Sequence, residues 1–449
     1  MELKKTIGKI EVTALALGSI IGSGAFILPG ELFLKKLGFY NAIIGIIMGA
    51  LGILIIEKSY GYLINKFPLA GGEYIFVKNS LGKKNAFICG WFLLFAYISI
   101  IPLNATALSI IINTISPKIL HWGYLYTVAS YPVYFGEVML AIFLLFCFAF
   151  FNIRNVKIAM IVQNILVFLL VGIILFFAFI LISSEGFSNA NLQSYLSFES
   201  LNIYGILKTM VIAPFLFIGF DCIPQISEEL TFEPKKASLL AMLAVIIGAM
   251  LYIIIMFCTT FGIPKELLIN GSINWATGYS IELYFGKIGL LFIVIAFITA
   301  VIAGINGFYF ASSRLILAMA RDGDLPSIFG KVDEKNNTPK NAIILILIIS
   351  LIAPWLGRKS LLWMIDISSI GAMFGYLYTT ISAIILYKKE YNKINYWSIL
   401  GSCICFVFLF LMLTPGLSTS LSKESYMAFT IWLILGAVIY RKMKIFRMK

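Results

Sequence analysis

Two short stretches carry the residue types from which a ligand site can be built out of bare backbone. The first reads Ala16-Leu17-Gly18-Ser19-Ile20-Ile21-Gly22-Ser23-Gly24-Ala25-Phe26, followed by Pro29-Gly30. Glycine inside a helix costs about 1 kcal/mol against alanine, so three glycines and two serines between positions 18 and 24 make a weak point. The second reads Pro214-Phe215-Leu216-Phe217-Ile218-Gly219-Phe220-Asp221-Cys222-Ile223-Pro224, where two prolines, a glycine and an acid interrupt an apolar run. A helix broken at such a point exposes unpaired carbonyls at the end of its first half and unpaired N–H groups at the start of its second. The N–H end favours an anion, and the carbonyl end suits an ammonium group or a metal cation. N–H groups around Ser23, Gly24 and Ala25, with the Ser23 hydroxyl, would take a carboxylate; carbonyls near Ile20 and from Phe215 to Ile218 would face the same gap. A carboxylate site beside an ammonium site, both made of backbone, matches the constant part of an α-amino acid. Taken singly, the glycines also suit close helix packing and the prolines a simple kink.

The elements that must hold these stretches are membrane helices. Of 449 residues, 61% are hydrophobic and 12% charged, with a mean hydropathy of +0.98. Soluble domains run at about 45–50% apolar and about 25% charged, and a chain this long folded in water would split into domains with charged surfaces. A spanning helix needs about 20 mostly apolar residues. About twelve such stretches occur, at 10–34, 40–64, 86–116, 132–151, 157–183, 203–229, 236–262, 285–320, 341–357, 361–387, 395–414 and 425–441. They leave no room for a soluble domain, and their continuity excludes the weak alternation of barrel strands. The chain therefore reads as an all-α membrane protein. The weak stretches fall in the first and sixth spans, and five helices followed by five more would form inverted repeats at about 10–183 and 203–387, with extra helices over about 395–441. Non-helical backbone at membrane depth is tolerated only where protein buries it or it lines a cavity.

The net charge of +13 lies in the loops. With a cytoplasmic amino terminus, alternate loops place about 25 of the 34 Lys and Arg residues inside and about 9 outside. The segment 183–200 has none; Lys35, Lys36, Arg358 and Lys359 fall on the unfavoured side. This asymmetry indicates a multi-pass protein of the cytoplasmic membrane with both termini inside, partnered by lipid rather than nucleic acid. No cleavable signal peptide is visible. Cys89, Cys147, Cys222, Cys258, Cys403 and Cys405 read as small buried hydrophobes without a CxxC pair, and His121, the single histidine, as a solvated loop residue. Metalloprotease, hydrolase and phosphate-loop motifs are missing, which disfavours an enzyme and an ATP-driven pump. A membrane amino acid sensor that binds without transport remains the alternative.

At the level of motifs, GSIIGSGAFILPG over Gly18–Gly30 resembles the first-helix motif of the amino acid–polyamine–organocation superfamily. Gly219-Phe220-Asp221 through Glu228-Glu229, then Pro234-Lys235-Lys236, is similar to the sixth-helix signature of its cationic amino acid transporter branch and bacterial relatives. Phe151-Asn152-Ile153-Arg154-Asn155-Val156-Lys157 resembles the start of the fifth helix. Ser312-Ser313-Arg314-Leu315 with Ala318–Pro326 resembles the end of the eighth, and Thr338-Pro339-Lys340-Asn341-Ala342 the start of the ninth. The resemblance implies the LeuT-type inverted five-helix repeat with two extra helices, and secondary transport of an amino acid by alternating access, as symporter or exchanger. It carries binding roles to Ile20, Ser23, Gly24, Phe215 and Ile218, with Phe217 and parts of helices 3, 8 and 10 as side-chain walls.

Ionisable groups inside a membrane are costly and usually functional. Asp221, just beyond the second weak stretch, is a candidate cation partner, proton carrier or gate residue, and equally a structural cap. Glu228 and Glu229 would sit near the cytoplasmic end, paired with lysines or Arg314 or simply solvated, and adjacent Glu57 and Lys58 suggest an interfacial pair. The resemblance also implies a coupling site between helices 1 and 8, for which Asn306, Ser312 and Ser313 are the candidates if sodium is used. Some members instead carry a lysine in the fifth helix; counting from Asn152 puts Leu170 there. Sodium, a proton or exchange without an ion all stay open, with no organic cofactor and no fixed metal expected. Apolar and aromatic neighbours favour a neutral amino acid of modest size.

Overall fold

The computed structural model describes residues 3–128, 131–154, 156–184, 189–196, 201–270, 273, 275–357, 360–417 and 419–448. Asn155, Arg358 and Lys359, invoked above, lie outside the described residues. Among those described, eleven helices are long and apolar enough to cross a membrane, and one shorter apolar stretch covers Lys340–Leu356.

In chain order the first span is α1 (Lys9–Ile20) and α2 (Gly24–Leu28), the latter continued by a wider π-wound turn over Pro29–Leu37. Then come α3 (Phe39–Lys66), a short α4 (Gly72–Leu81) and α5 (Lys83–Ile115). An antiparallel hairpin follows, β1 (Tyr124–Val128) with β2 (Tyr131–Tyr134), before α6 (Phe135–Arg154), α7 (Val156–Ser184) and the short α8 (Ala190–Tyr195). The sixth span is α9 (Ile203–Phe217) and α10 (Cys222–Gln225), the seventh is α11 (Pro234–Gly262), and after the short α12 (Lys265–Asn270) the eighth is α13 (Ala276–Arg321). Last are α14 (Lys340–Ser350), α15 (Ser360–Tyr391), α16 (Tyr396–Leu413) and α17 (Lys423–Met448).

Most of these helices are apolar all round because one face meets protein and the other lipid. On α7, Val167, Leu170 and Ile174 are buried, whereas Ile165, Phe168 and Phe179 are 61%, 67% and 71% exposed. The buried centre is α1 packed on α7, α11 and α13, flanked by α5 against α13 and α15 and by α3 against α9 and α11. α17 stands at the margin, joined to α5 by stacked Trp91 and Trp432 (centroids 4.4 Å), each indole N–H donating to the other's backbone carbonyl.

Three expectations from the sequence change. The ninth stretch is a helix only to Ser350, with Ala353–Leu356 a separate turn where Pro354 lacks the N–H to continue it. The eighth stretch starts earlier, at Ala276, and bends at Gly286 (φ 67°), which only glycine adopts readily. His121 is not simply solvated: its ring stacks on Tyr134 at 4.4 Å and lies 3.7 Å from Glu137.

Candidate functional site

Both weak stretches are interrupted helices, and their interruptions touch. α1 stops at Ile20, and Ile21 leaves the helical region at φ −94°, ψ 79°. α9 stops at Phe217, and Gly219 adopts φ +130°, where a Cβ would also lie 2.6 Å from Ser19 Cβ and 2.8 Å from the Ile20 nitrogen. Glycine is required there twice over, for the backbone angle and for the close approach of the two chains.

Asp221 completes the second break. Its Oδ1 accepts from the Gly219 N–H at 2.7 Å, the donor that a continuing helix would give to the Phe215 carbonyl four residues earlier. The Phe215 carbonyl thereby loses the donor that a continuing helix would give it. The carbonyl of Phe217 is less open, since the Phe220 N–H lies 3.5 Å away.

At the first break the start of α2 is held from the side. The Ser23 N–H donates to Asn104 Oδ1 of α5 at 2.9 Å, and the Ile20 carbonyl accepts from the Tyr252 hydroxyl of α11 at 3.2 Å. Among the described residues the N–H groups of Gly22 and Gly24 find no acceptor and the buried Ser23 hydroxyl no partner. Unsatisfied buried donors at a helix start call for an anion. Around this point lies a cavity of about 10 Å³ walled by Ile100, Leu103, Phe215, Ile218 and Tyr252, with no charged side chain in its lining. It shares Ser23, Gly24, Leu103 and Phe215 with a larger vestibule of about 180 Å³ reaching Glu31, Lys36 and the hairpin residue Tyr131. The Phe215 ring is the partition: a Cβ on Gly24 would meet its Cε1 at 2.9 Å.

The structure places Ile20, Ser23, Gly24, Phe215 and Ile218 together around this cavity. Two others do not join them. The Ala25 N–H donates to the Gly22 carbonyl at 3.2 Å, so it is no free donor. Phe217 is fully buried against Tyr252 and the Gly49 face of α3, and it lines neither cavity, because the turn of α9 points it away from α2. Asn104 and Tyr252 were missed; the available signal was an amide and a phenol inside otherwise apolar spans.

The face carrying the termini is shut. Glu229 and Arg314 make a two-bond pair at 2.8 and 3.1 Å, both side chains at 0–1% exposure, so neither is a solvated end charge. Glu228 takes the Leu3 and Ala70 N–H groups and pairs with Arg321 at 3.0 Å. Ile7 bridges Leu230, Tyr74 bonds Asp324 at 2.6 Å, and Lys78 pairs with Asp322 at 2.6 Å. Glu57 and Lys58 form no ion pair among the described residues; Glu57 turns inward to accept from Ser238 at 2.7 Å while Lys58 is exposed.

Between α1 and α13 stands an amide. Gln163 of α7 donates to the carbonyls of Ala14 (3.2 Å) and Ala303 (3.3 Å), and its oxygen accepts from Asn306, which also accepts from Asn152. Asn306 therefore belongs to an amide network. Ser312 and Ser313 donate to carbonyls of their own helix, Phe308 and Phe310. Leu170, fully buried, lies two turns further along α7 from Gln163.

Behind the second break, Glu73 of α4 is fully buried, accepting from Tyr60 at 3.0 Å and from Gln225. Burial, and secondarily the charge of Asp221, push the Glu73 carboxyl well above its ordinary value of 4.5. The folded chain then keeps a proton that the unfolded chain loses. Stability from this group is complete below pH 4.5 and declines as pH rises from there through the raised folded value. Melting of the detergent-solubilised protein should fall between about pH 5 and about pH 8, and fall less in Glu73→Gln; equal slopes in the two proteins would refute the assignment.

Two interrupted membrane helices meeting at a buried dipolar gap, shut on one face and entered from the other, define a membrane transporter of small solutes. The sequence pattern described as "Amino acid permease" matches residues 7–439, and the chain belongs to that family. It is similar to a methylthioribose transporter of Bacillus subtilis (strain 168), 24% identical over 98% of this chain and 93% of the relative. It is also similar to the branched-chain amino acid permease BcaP of the same organism, 26% identical over 98% and 92%. A third relative is the large neutral amino acids transporter small subunit 2 of Oryctolagus cuniculus, 26% identical over 76% of this chain and 62% of the relative. These are transporters, not enzymes, and they span the family broadly without singling out its cationic branch.

Proposed function

We propose that the chain is a secondary active transporter that carries a neutral amino acid across the cytoplasmic membrane by alternating access. The observation that carries this reading is the paired break. Free N–H groups of Gly22 and Gly24 with the Ser23 hydroxyl would receive the carboxylate, and the Phe215 and Ile218 carbonyls the ammonium group. The apolar walls, without a charged side chain, suit an uncharged aliphatic side chain. Basic residues concentrate on the face of the termini, which supports a cytoplasmic position for that face; the vestibule then opens outward. The present cavity of about 10 Å³ holds about one water, so binding requires the Phe215 ring to swing away from Gly24.

Coupling to sodium is disfavoured, because the Gln163 amide protons already serve the carbonyls that would otherwise bind a cation between α1 and α13. The test is uptake into proteoliposomes of labelled isoleucine, leucine, valine, methylthioribose and putrescine, under separately imposed proton and sodium gradients. Uptake of at least one neutral amino acid is expected, unchanged when choline replaces sodium. Measurable binding without uptake or exchange would instead support a sensor, and strict sodium dependence would overturn the role given to Gln163.

A further inference from the structure

Glu73 lies outside the substrate gap, and Asp221 faces the gap only through the backbone it caps. Behind that cap the two acids share one buried cluster. Asp221 Oδ2 accepts from the Tyr97 hydroxyl of α5 at 2.8 Å, Glu73 from Tyr60 of α3 and Gln225 of α10, and Tyr97 interacts with both carboxylates. The elements packed on the cluster contribute uncharged groups, Ser19 from α1, Tyr60 from α3, Cys89 and Tyr97 from α5, Cys222 from α10 and Tyr376 from α15, and α13 contributes Phe308 against Tyr97. Arg314 of α13 is already engaged by Glu229. Neither Glu73 nor Asp221 has an ion pair among the described residues. One further atom of the cluster is left over: Oε1 of Gln225, a fully buried residue, has no hydrogen-bond partner among the described residues, while the Tyr376 hydroxyl turns to Asp221.

Two carboxylates in one buried site without a cation cannot both carry charge. A single proton resolves the conflict and supplies a missing donor, since a protonated Glu73 can donate to the amide oxygen of Gln225 once that amide is turned. We infer that Glu73 and Asp221 form one proton-binding site, holding a single proton between them while the termini-side face is closed and releasing it to water when that face opens. The release follows from position. α4 and α10 are tied together by the same segment that closes the face, through Glu228 with Ala70 and Gln225 with Gly71. Parting these elements admits water, which restores the hydration that burial had removed. The shared proton stands on the cluster alone, whereas its release as a coupling step rests on the transport reading above.

The experiment has two arms on the full-length protein. In detergent, infrared titration should show a protonated-carboxyl band at neutral pH. That band should be lost, or lowered by about one pH unit or more, in both Glu73→Gln and Asp221→Asn. Subtracting variant from wild type removes other buried acids such as Glu57. A band that neither variant alters, or two carboxyls titrating independently in the ordinary acid range, would overturn the inference. In proteoliposomes with isoleucine as the probe, a one-unit pH gradient can drive at most about tenfold accumulation through one proton. Glu73→Gln should abolish that accumulation while keeping isoleucine-for-isoleucine exchange; accumulation equal to wild type would overturn the coupling step. If wild type moves no isoleucine in any mode, the transport reading for this solute has failed, and the infrared arm still decides the proton site.

Discussion

Gly24→Leu abolishes substrate binding while the protein still folds and inserts. A Cβ at this position would already lie 2.9 Å from Phe215 Cε1 and 3.7 Å from Leu28 Cδ1, and the rest of a leucine side chain has nowhere to go but the substrate gap. Overpacking of this kind costs about 1–3 kcal/mol, and filling the gap removes the space for the ligand as well. The expected loss of affinity is at least about 100-fold for whichever labelled solute the uptake panel identifies, measured by equilibrium binding in detergent. Gly24→Ala should be intermediate, because the far edge of the Phe215 ring can give way. Wild-type affinity in Gly24→Leu would show that the substrate sits elsewhere. The fold survives because the crowding lies at a cavity wall rather than in the packed contacts of α1 with α7, α11 and α13.

The second large effect concerns the closed face. Arg314 and Glu229 are held at 1% and 0% exposure by two bonds, with the guanidinium 4.3 Å from the Phe310 ring centroid and bonded to Ser313. Removing one partner of such a pair strands the other as a bare buried charge, which costs about 3–5 kcal/mol. Arg314→Met should therefore melt well below wild type in detergent. The double variant Arg314→Met, Glu229→Gln should recover most of the loss, since no unpaired charge remains. A single variant that melts like wild type would mean that water reaches Glu229 and the face is not sealed. Under the proposed alternating access, opening of this face would have to hydrate both charges as they part.

Much of this molecule was legible before any fold was known, and particular residues show why. Glycine and proline act locally, through backbone freedom and a missing N–H, so the breaks after Ile20 and Phe217 could be read from short strings of letters. Apolar run length is likewise a local quantity, and the spans followed from it, except that the ninth helix stops at Ser350, ahead of Pro354 and its missing N–H. Roles that depend on direction were harder. Phe215 and Phe217 are chemically alike and two residues apart, yet one lines the gap and the other packs into α3. The rotation of α9, set by packing, makes the difference.

What the residues alone determined about this protein is a helical membrane chain with two weak points whose exposed dipoles suit a zwitterion. Only the tertiary structure decided which partners complete them: Asn104 on the Ser23 N–H, Tyr252 on the Ile20 carbonyl, Gln163 between α1 and α13, and Glu73 beside Asp221. Each of those pairings joins residues 81 or more positions apart. Distances through space between such residues follow from how helices pack, and one polar letter in an apolar span does not reveal which other span it will face.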